Sequence, residues 1–242
     1  MNVVEQGIAI NNQHIYNIEN GIDEPVSLLE QIQNLGYRDL KDFFDHKREY
    51  EMQRVLKGNV YSVIPKNAMP TLRHLIENGL YGIVSVNTDE TCVHHGQDDS
   101  KFLDYNYCSV NDIPIYTYDS FGGNIVATKD DYSMAVILPI NIDIDTAFVL
   151  LHLKNVLDKY FDNVEIQGND ILIDDKKVAG TTSFGTGNFF FLIAHFSMSP
   201  KDKLIRAICG APISDKIPGY IDTKILSTEK LKGDLLGWLQ GL

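Results

Sequence analysis

Apolar residues recur at intervals of three and four along several stretches of the chain, which is the spacing of one face of an α-helix. The stretch from Asp39 to Leu56 follows this period, and Gly58 lies just beyond it as a stop signal. Asp145 precedes an apolar stretch that reaches Phe161, and its short side chain is typical of an N-cap. The predicted helices are 27–35, 39–56, 70–78, 145–161, 199–209 and 227–240.

Shorter runs of β-branched and aromatic residues lie between these helices and predict strands. The longest are Tyr132–Pro139 and Phe189–Phe196, whose nearly continuous apolar character indicates burial on both faces. The predicted strands are 60–64, 83–86, 91–94, 113–118, 125–127, 132–139, 171–173, a strand that starts at 177, and 189–196; a hairpin is predicted at 7–16.

Composition and charge restrict the class of protein. The chain has 242 residues, of which 44% are hydrophobic and 22% charged, the composition of an ordinary globular protein. Its formal net charge of −12 argues against nucleic-acid binding, because an acidic surface repels phosphate backbones. No apolar run approaches the roughly 20 residues that a membrane-spanning helix requires, so we expect no membrane association.

The cysteines and the first residues of the chain favour a cytoplasmic location. Cys92, Cys108 and Cys209 are odd in number and widely spaced, which suits reduced thiols and matches no zinc pattern. The N-terminus has no basic segment followed by an apolar stretch, so we expect no signal peptide.

A short hairpin motif is the strongest chemical signal in the sequence. Gly168, Asn169 and Asp170 have turn chemistry, and a short apolar strand follows them. The charged residues 174–176 reverse the chain, and a return strand begins at Lys177 and reaches Gly180 three residues later. A small residue followed by glycine on this strand permits close approach of another chain or a ligand. On spacing alone, a solvated hairpin turn remains open as an explanation.

This motif resembles that of the biotin/lipoate–protein ligase superfamily, in which such a turn and strand precede a lysine, an aliphatic residue, a small residue and a glycine. The resemblance implies that Lys177 grips the substrate carboxylate and the nucleotide α-phosphate. It also implies that Gly168, Asn169 and Asp170 hold nucleotide phosphates, Asp170 through Mg²⁺, and that Gly180 lies at the substrate.

A glycine pair upstream agrees with the resemblance in part. Lipoate ligases carry Arg-Arg-x-Ser-Gly-Gly-Gly-Ala-Val about 50 residues before their lysine, and here Gly122, Gly123 and Asn124 fall at the three glycine positions. These three residues are therefore expected to border the acyl chain, since glycine permits close backbone approach. Tyr118 and Asp119 stand where the family has its two arginines, and an aspartate beside a phosphate is repulsive.

The resemblance implies an α/β (or α+β) fold with a mixed, largely antiparallel sheet packed by helices. It implies a single lipoate ligase-like domain over residues 1–242, with residues 1–38 an N-terminal extension. The implied activity is a lipoate–protein ligase-like reaction: lipoate or octanoate is activated with ATP to an acyl-AMP and transferred to a lysine of an acceptor lipoyl-domain protein. ATP and Mg²⁺ are the implied cofactors.

Two alternatives stay open. The missing arginines favour a catalytically inactive protein of this fold that binds an acyl or nucleotide ligand or a partner. The second alternative is an octanoyl or lipoyl transferase, which uses a cysteine near the lysine motif, but residues 162–183 contain none. Cys108 is expected to be a packing residue.

Three histidines are assigned no role in the chemistry. His94 and His95 are adjacent on a predicted strand and so point to opposite faces, which argues against a shared metal ion. His195 lies on a strongly apolar strand, and we expect it to be a core histidine whose ring nitrogens are hydrogen-bonded.

Overall fold

The computed structural model describes residues 28–96, 103–118, 124–140, 144–201, 204 and 217–242. The chain divides into a smaller unit that ends at Arg54 and a larger unit from Val55 to Gln240. The elements in chain order are α1 (Leu28–Asn34), α2 (Leu40–Leu56), β1 (Val60–Val63), α3 (Pro65–Glu77), β2 (Gly82–Asn87), β3 (Cys92–Gly96), α4 (Tyr105–Val110), β4 (Ile115–Tyr118), β5 (Ile125–Ala127), β6 (Tyr132–Pro139), α5 (Thr146–Leu157), β7 (Val164–Gln167), β8 (Asp170–Ile173), β9 (Lys176–Thr186), β10 (Phe189–Phe196), β11 (Ile217–Pro218) and α6 (Thr228–Gln240).

The described part of the smaller unit is helical and has its own small core. Ile32, Tyr37 and Phe43 are buried against one another, and the rings of Tyr37 and Phe43 meet edge to face at 5.4 Å. The Asp39 carboxylate accepts a hydrogen bond from the backbone N–H of Asp42, which caps the start of α2. The predicted helix from Asp39 is therefore confirmed.

The larger unit is built on one eight-stranded sheet. Its strand order is β1-β2-β6-β10-β9-β8-β7, with β11 paired to the start of β9. Among the described strands of this sheet, only the β1–β2 and β11–β9 pairs are parallel, so the sheet is mixed and largely antiparallel. The expected fold class is confirmed.

A three-stranded sheet of order β4-β3-β5 forms a second layer. Its Val93 side packs on α4 through a core that includes Leu103, Cys108 and Val126. Tyr118, at the end of β4, packs instead against the core of the main sheet. The small sheet therefore stands between α4 and one face of the main sheet.

The main sheet is covered on both faces. On one face, Ala68, Leu72 and Leu75 of α3 pack on Val84 and Ile137 of the sheet. On the other, the Thr146 hydroxyl of α5 is hydrogen-bonded to Ser183 of β9. Since side chains alternate along a strand, Ser183 and Gly180 lie on opposite faces, and Gly180 is on the α3 side.

Several predicted helices have different bounds in the structure. The helix predicted over 70–78 begins at Pro65, which occupies its first turn. The N–H that proline lacks would have no intrahelical hydrogen-bond acceptor at this position. Asp145 caps α5 as predicted, by accepting from the N–H of Phe148, but the helix ends at Leu157 and not at Phe161.

The short elements α4 and β7 were not predicted, because a stretch of this length shows almost no period. Residues 199–201 are not helical, so the helix predicted from 199 does not begin there. The predicted hairpin at 7–16, the start of the helix at 27 and residues 205–209 lie outside the described residues. The prediction of one domain over 1–242 stays a prediction.

Candidate active site between two sheets

The hairpin that carries Lys177 is set by its turn and by a bulge. Asp174 and Asp175 have φ of 48° and 62°, the left-handed conformation at both central positions that a two-residue hairpin turn of the tightest kind requires. Further along, Ile171 pairs with Ala179 but Leu172 pairs with Lys177. Val178 is therefore an extra residue, a β-bulge that redirects the strand.

The bulge brings Lys177 next to Asp170 and Gly180. The Lys177 ammonium lies 2.9 Å from Asp170 Oδ1, with the side chains 36% and 17% exposed. A Cβ added to Gly180 would meet Lys177 Cε at 3.3 Å and Asp170 Oδ1 at 3.4 Å. The absence of a side chain at Gly180 therefore provides the space in which the ion pair forms.

The backbone around Lys177 is held from two sides. β9 pairs with β8 on one side and with β11 on the other side, where Lys177 is the partner of Pro218. The Lys177 carbonyl accepts a hydrogen bond of 2.9 Å from the N–H of Gly219. The backbone that carries the Lys177 side chain is therefore fixed, and a fixed backbone is needed to hold a charge in a defined position.

The turn before β8 has the conformation that its sequence predicts. Gly168 has a φ of +63°, which glycine adopts without steric cost. The Asn169 carbonyl accepts hydrogen bonds from both the N–H and the hydroxyl of Thr181. The structure thus brings Asp170, Lys177 and Gly180 together, with Gly168 and Asn169 in the exposed turn beside them.

The glycine pair of the sequence motif, Gly122 and Gly123, lies outside the described residues. Asn124, which follows them, directly precedes β5. β4 and β5, which precede and follow this segment in the sequence, both pair with β3. Of the predicted acyl-binding residues near the glycine pair, Asn124 therefore borders the three-stranded sheet.

A buried polar cluster that sequence reasoning missed lies near Lys177. Lys201 Nζ is 3.0 Å from Asp131 Oδ2, from His195 Nε2 and from Ser197 Oγ. Asp131 also accepts from the N–H groups of Thr128 and Met198. The signal available in the sequence was a charged residue near the end of each of two long apolar strands: Asp131 directly before β6, and Lys201 five residues after β10.

His195 is the centre of this cluster and is electrically neutral. Burial lowers the pKa of His195 well below its usual value, and the positive charge of Lys201 lowers it further. Because the Lys201 ammonium donates to Nε2, the ring proton is on Nδ1 and is donated to Ser133 Oγ at 2.8 Å. The prediction of a hydrogen-bonded core histidine is confirmed.

A single row of partners across the main sheet connects this cluster to the Lys177 hairpin. Asp170 is the partner of Gly180, Gly180 of His195, and His195 of Ser133. Cross-strand partners share a face of the sheet, so these residues lie on the α3 side. Lys177 is close enough to His195 to contribute to the lowering of its pKa.

The three-stranded sheet contributes Cys92 and His94 to the same region. Cys92 Sγ is 3.3 Å from His94 Nε2, and the rings of His94 and Tyr118 meet edge to face at 4.9 Å. Burial lowers the pKa of His94 to about 4, with a further contribution from the charge of Lys201. His95 points to the other face and bonds Thr117, as the predicted alternation requires.

Cys92 is a protonated thiol. Its side chain is completely buried, and burial, with the acidic residues nearby, raises its pKa to about 12. A thiolate and not a thiol is the nucleophile in cysteine chemistry, so Cys92 is unsuited to that role. Cys108 is buried in the α4 core as predicted, and Cys209 lies outside the described residues.

The side chains near Asp170 suit a metal ion only if a nucleotide supplies further ligands. Among the described residues, no group of three or more His, Cys, Asp or Glu side chains is placed to hold an ion. Mg²⁺ is commonly bound by one or two carboxylates together with substrate phosphates. Asp170 alone therefore fits Mg²⁺ that arrives with a nucleotide, and does not fit a resident metal.

The fold is similar to that of solved lipoate–protein ligases. A P. falciparum ligase, LipL1, in complex with lipoate is 13% identical, with a TM-score of 0.60 over 76% of this chain and 62% of that chain. The archaeal bipartite lipoate protein ligase from Thermoplasma acidophilum, solved with its E2 lipoyl domain, is 15% identical with a TM-score of 0.62, over 77% and 83%. A lipoate-protein ligase A bound with ATP is 14% identical with a TM-score of 0.61, over 77% and 85%.

Sequence comparison adds nothing to this structural likeness. No protein-family model matches the chain, and no curated protein matches it. The chain spans 62% of the length of the P. falciparum ligase. Within the described ranges, no helix combines the length and the apolar character needed to cross a membrane.

Proposed function

We propose that this protein is a lipoate–protein ligase-like enzyme of the cytoplasm, which activates a carboxylic acid with ATP and transfers the acyl group to a lysine of an acceptor protein. One observation carries the proposal. The Lys177 ammonium, the Asp170 carboxylate and the bare backbone of Gly180 meet on one face of the sheet, in the order and spacing of the ligase motif.

The proposed reaction has two steps. A carboxylate oxygen of the acid attacks the α-phosphorus of ATP, the bond to the β-phosphate breaks, and acyl-AMP and pyrophosphate form. The amino group of the acceptor lysine then attacks the acyl carbon, and AMP leaves. Lys177 stabilises the negative charge that develops in both steps, which is electrostatic catalysis without a covalent intermediate on the enzyme.

The other motif residues have supporting roles in this proposal. Gly122, Gly123 and Asn124, with Gly180, border the acyl chain, and Gly168 and Asn169 lie beside the nucleotide. Asp170 would hold Mg²⁺, which neutralises phosphate charge when it is bound with the nucleotide. The ATP- and lipoate-bound relatives and the ligase solved with a lipoyl domain support the choice of substrates and partner.

The experiment is pyrophosphate exchange into ATP, measured with and without lipoate or octanoate. Wild type is expected to exchange only when the acid is present. Lys177→Ala is expected to lower the rate by about 10²–10³. Lys176→Ala, the adjacent and exposed lysine, is the matched control and should behave like wild type. Equal rates in both variants would show that Lys177 is not the site.

A non-catalytic binding protein is the second candidate, favoured by Tyr118. This residue stands at a position where lipoate ligases have an arginine, and its ring packs against the main-sheet core. It therefore supplies no charge for a phosphate. Calorimetric binding of an acid that supports no exchange, and that Lys177→Ala weakens, would favour this candidate over the enzyme.

A further inference from the structure

The segment of residues 217–221 contacts the backbone that carries Lys177. It begins with β11, which pairs with the start of β9, and the Gly219 N–H then donates a hydrogen bond of 2.9 Å to the Lys177 carbonyl. Two residues further along, the N–H of Ile221 donates to the Ser197 carbonyl at 2.8 Å. The Ile221 side chain is completely buried. The segment is therefore anchored in the core at one end and lies against β9 at the other.

The β-bulge at Val178 makes this support necessary. A bulge leaves one residue unpaired and disrupts the ladder locally, so the backbone groups around it need partners from outside the hairpin. The Val178 carbonyl accepts a hydrogen bond of 2.8 Å from the N–H of Ser197, and the Lys177 carbonyl accepts one from Gly219. Residues outside β8 and β9 therefore hold both carbonyl groups, and Gly219 holds that of the lysine itself.

The packing at position 219 has room for glycine and for no larger residue. A Cβ added to Gly219 would lie 2.5 Å from Lys176 Cβ, 3.3 Å from the Lys176 carbonyl carbon and 3.4 Å from its oxygen. A Cβ and a backbone carbonyl cannot rotate away, as the end of a long side chain can. A side chain at 219 would therefore push the segment away from β9, and the hydrogen bond from Gly219 to Lys177 would lengthen or break.

We propose that Gly219 is a positioning residue for Lys177. Its close packing on Lys176 and its hydrogen bond to the Lys177 carbonyl fix the bulge from which the lysine side chain extends. This inference rests on the proposed function, in which the Lys177 ammonium binds the carboxylate of the acid. Because small displacements of a group that must meet a substrate are costly, loss of the contact at Gly219 weakens the interaction between Lys177 and the acid.

The test is a double-mutant cycle between Gly219 and Lys177. The dissociation constant of octanoate is measured by calorimetry without ATP, and exchange of pyrophosphate into ATP is measured with the same acid. Gly219→Ala is expected to weaken binding and to slow exchange, each by about tenfold. In a Lys177→Ala background the same change should have no further effect on binding, because Gly219 acts through the lysine. A purely structural role would weaken binding equally in both backgrounds.

A second variant tests whether contact with Lys176 is the cause. Lys176→Gly removes the Cβ that lies 2.5 Å from an added Cβ at position 219. Lys176→Gly alone should resemble wild type. Combined with Gly219→Ala, it should recover most of the lost binding and exchange.

Gly82→Ala is the matched control for a general loss of stability. Its Cβ would lie 2.8 Å from the Asn59 carbonyl oxygen, which is also a clash with backbone. Gly82 is on β2, which β6 and β10 separate from β9. Gly82→Ala should lower the melting temperature, as Gly219→Ala does, but should leave octanoate binding and exchange unchanged.

The outcomes distinguish this inference from the function on which it rests. If wild type exchanges, then wild-type binding and exchange in Gly219→Ala, or an equal loss in Gly82→Ala, overturn the role of Gly219 and leave the ligase proposal standing. An equal loss of binding in the Lys177→Ala background also overturns that role. Weaker binding that Lys176→Gly restores, in a protein without any exchange, upholds the role and overturns the ligase. Wild type that neither binds octanoate nor exchanges pyrophosphate overturns both.

Discussion

Gly180 lies on the same face of β9 as Lys177, although three positions separate them and an unbroken strand would place them on opposite faces. The extra residue at Val178 shifts the alternation by one position and turns the lysine toward the glycine. The motif of lysine, aliphatic residue, small residue and glycine therefore forms a β-bulge. The bulge places the lysine side chain next to the space that the glycine leaves open.

A methyl group at Gly180 should disturb the ion pair without unfolding the protein. Its Cβ would lie 3.3 Å from Lys177 Cε and 3.4 Å from Lys177 Nζ and Asp170 Oδ1, so the lysine must move. We expect Gly180→Ala to lower acid-dependent exchange by roughly tenfold or more, because small displacements of a catalytic group are costly. The melting temperature should change little, since the flexible end of a side chain absorbs the contact.

Gly185→Ala is the control for that variant on the same strand. Its Cβ would make only an ordinary contact, 3.5 Å from Ile140 Cδ1. Exchange should proceed at the wild-type rate. If the two alanine variants lose activity equally, crowding at Lys177 is not the cause.

Removing the charge of Asp131 should destabilise the fold strongly. Asp131 is the carboxylate partner of the Lys201 ammonium, and its side chain is completely buried. Breaking a buried ion pair from one side leaves an uncompensated charge, which costs about 3–5 kcal/mol of unfolding free energy. Urea denaturation of Asp131→Asn measures this cost.

The matched control for Asp131 is the surface pair of Lys154 and Asp158, 2.6 Å apart on α5 and its C-cap. Asp158→Asn should change the unfolding free energy by about 0.5 kcal/mol or less. A loss of unfolding free energy of the same size in both variants would mean that burial does not increase the contribution of the Asp131 ion pair to stability.

Acid should weaken the fold through His94 and His195. Burial lowers both pKa values below the ordinary 6.5, to about 4 for His94. Between pH 6.5 and the pKa values of these histidines in the folded protein, the unfolded chain binds protons that the folded protein does not. The free energy of unfolding therefore falls as the pH falls through this window, by about 1.4 kcal/mol per pH unit for each histidine.

Urea denaturation at pH 7, 6 and 5 checks this dependence. His94→Asn should remove the contribution of one histidine from the slope between pH 6 and 5. His74→Asn, which replaces an exposed histidine of α3, should leave the slope as in wild type. An unchanged slope in His94→Asn would contradict a lowered pKa at that position.

Replacement of all three cysteines should spare the proposed activity. Cys92 keeps its proton because burial raises its pKa to about 12, and Cys108 is a buried packing residue. A variant with Cys92, Cys108 and Cys209 changed to Ser is expected to exchange pyrophosphate within a few-fold of wild type. Loss of acyl transfer in a folded variant would instead favour the cysteine-dependent transferase.

The elements with a long hydrophobic run or period, and the residues of one local motif, could be predicted from the amino-acid sequence. β6 and β10 were predictable because each is a nearly continuous apolar run, interrupted only by Ser133 or His195, which is typical of a buried strand. α5 was predictable because Asp145 marks its start. Gly168, Asp170, Lys177 and Gly180 were identifiable because their spacing is local: one hairpin brings them together whatever the rest of the chain does.

The residues that surround that motif could not be predicted, because they come together through tertiary contacts. Asp131 and Lys201 are 70 positions apart in the sequence and meet because β6 and β10 are neighbours in the sheet. His94 lies on another sheet, and the packing of that sheet leaves its Nδ1 without a hydrogen-bond partner among the described residues. Local spacing specifies contacts along one chain segment, whereas the pairing of distant strands depends on the burial of the whole core.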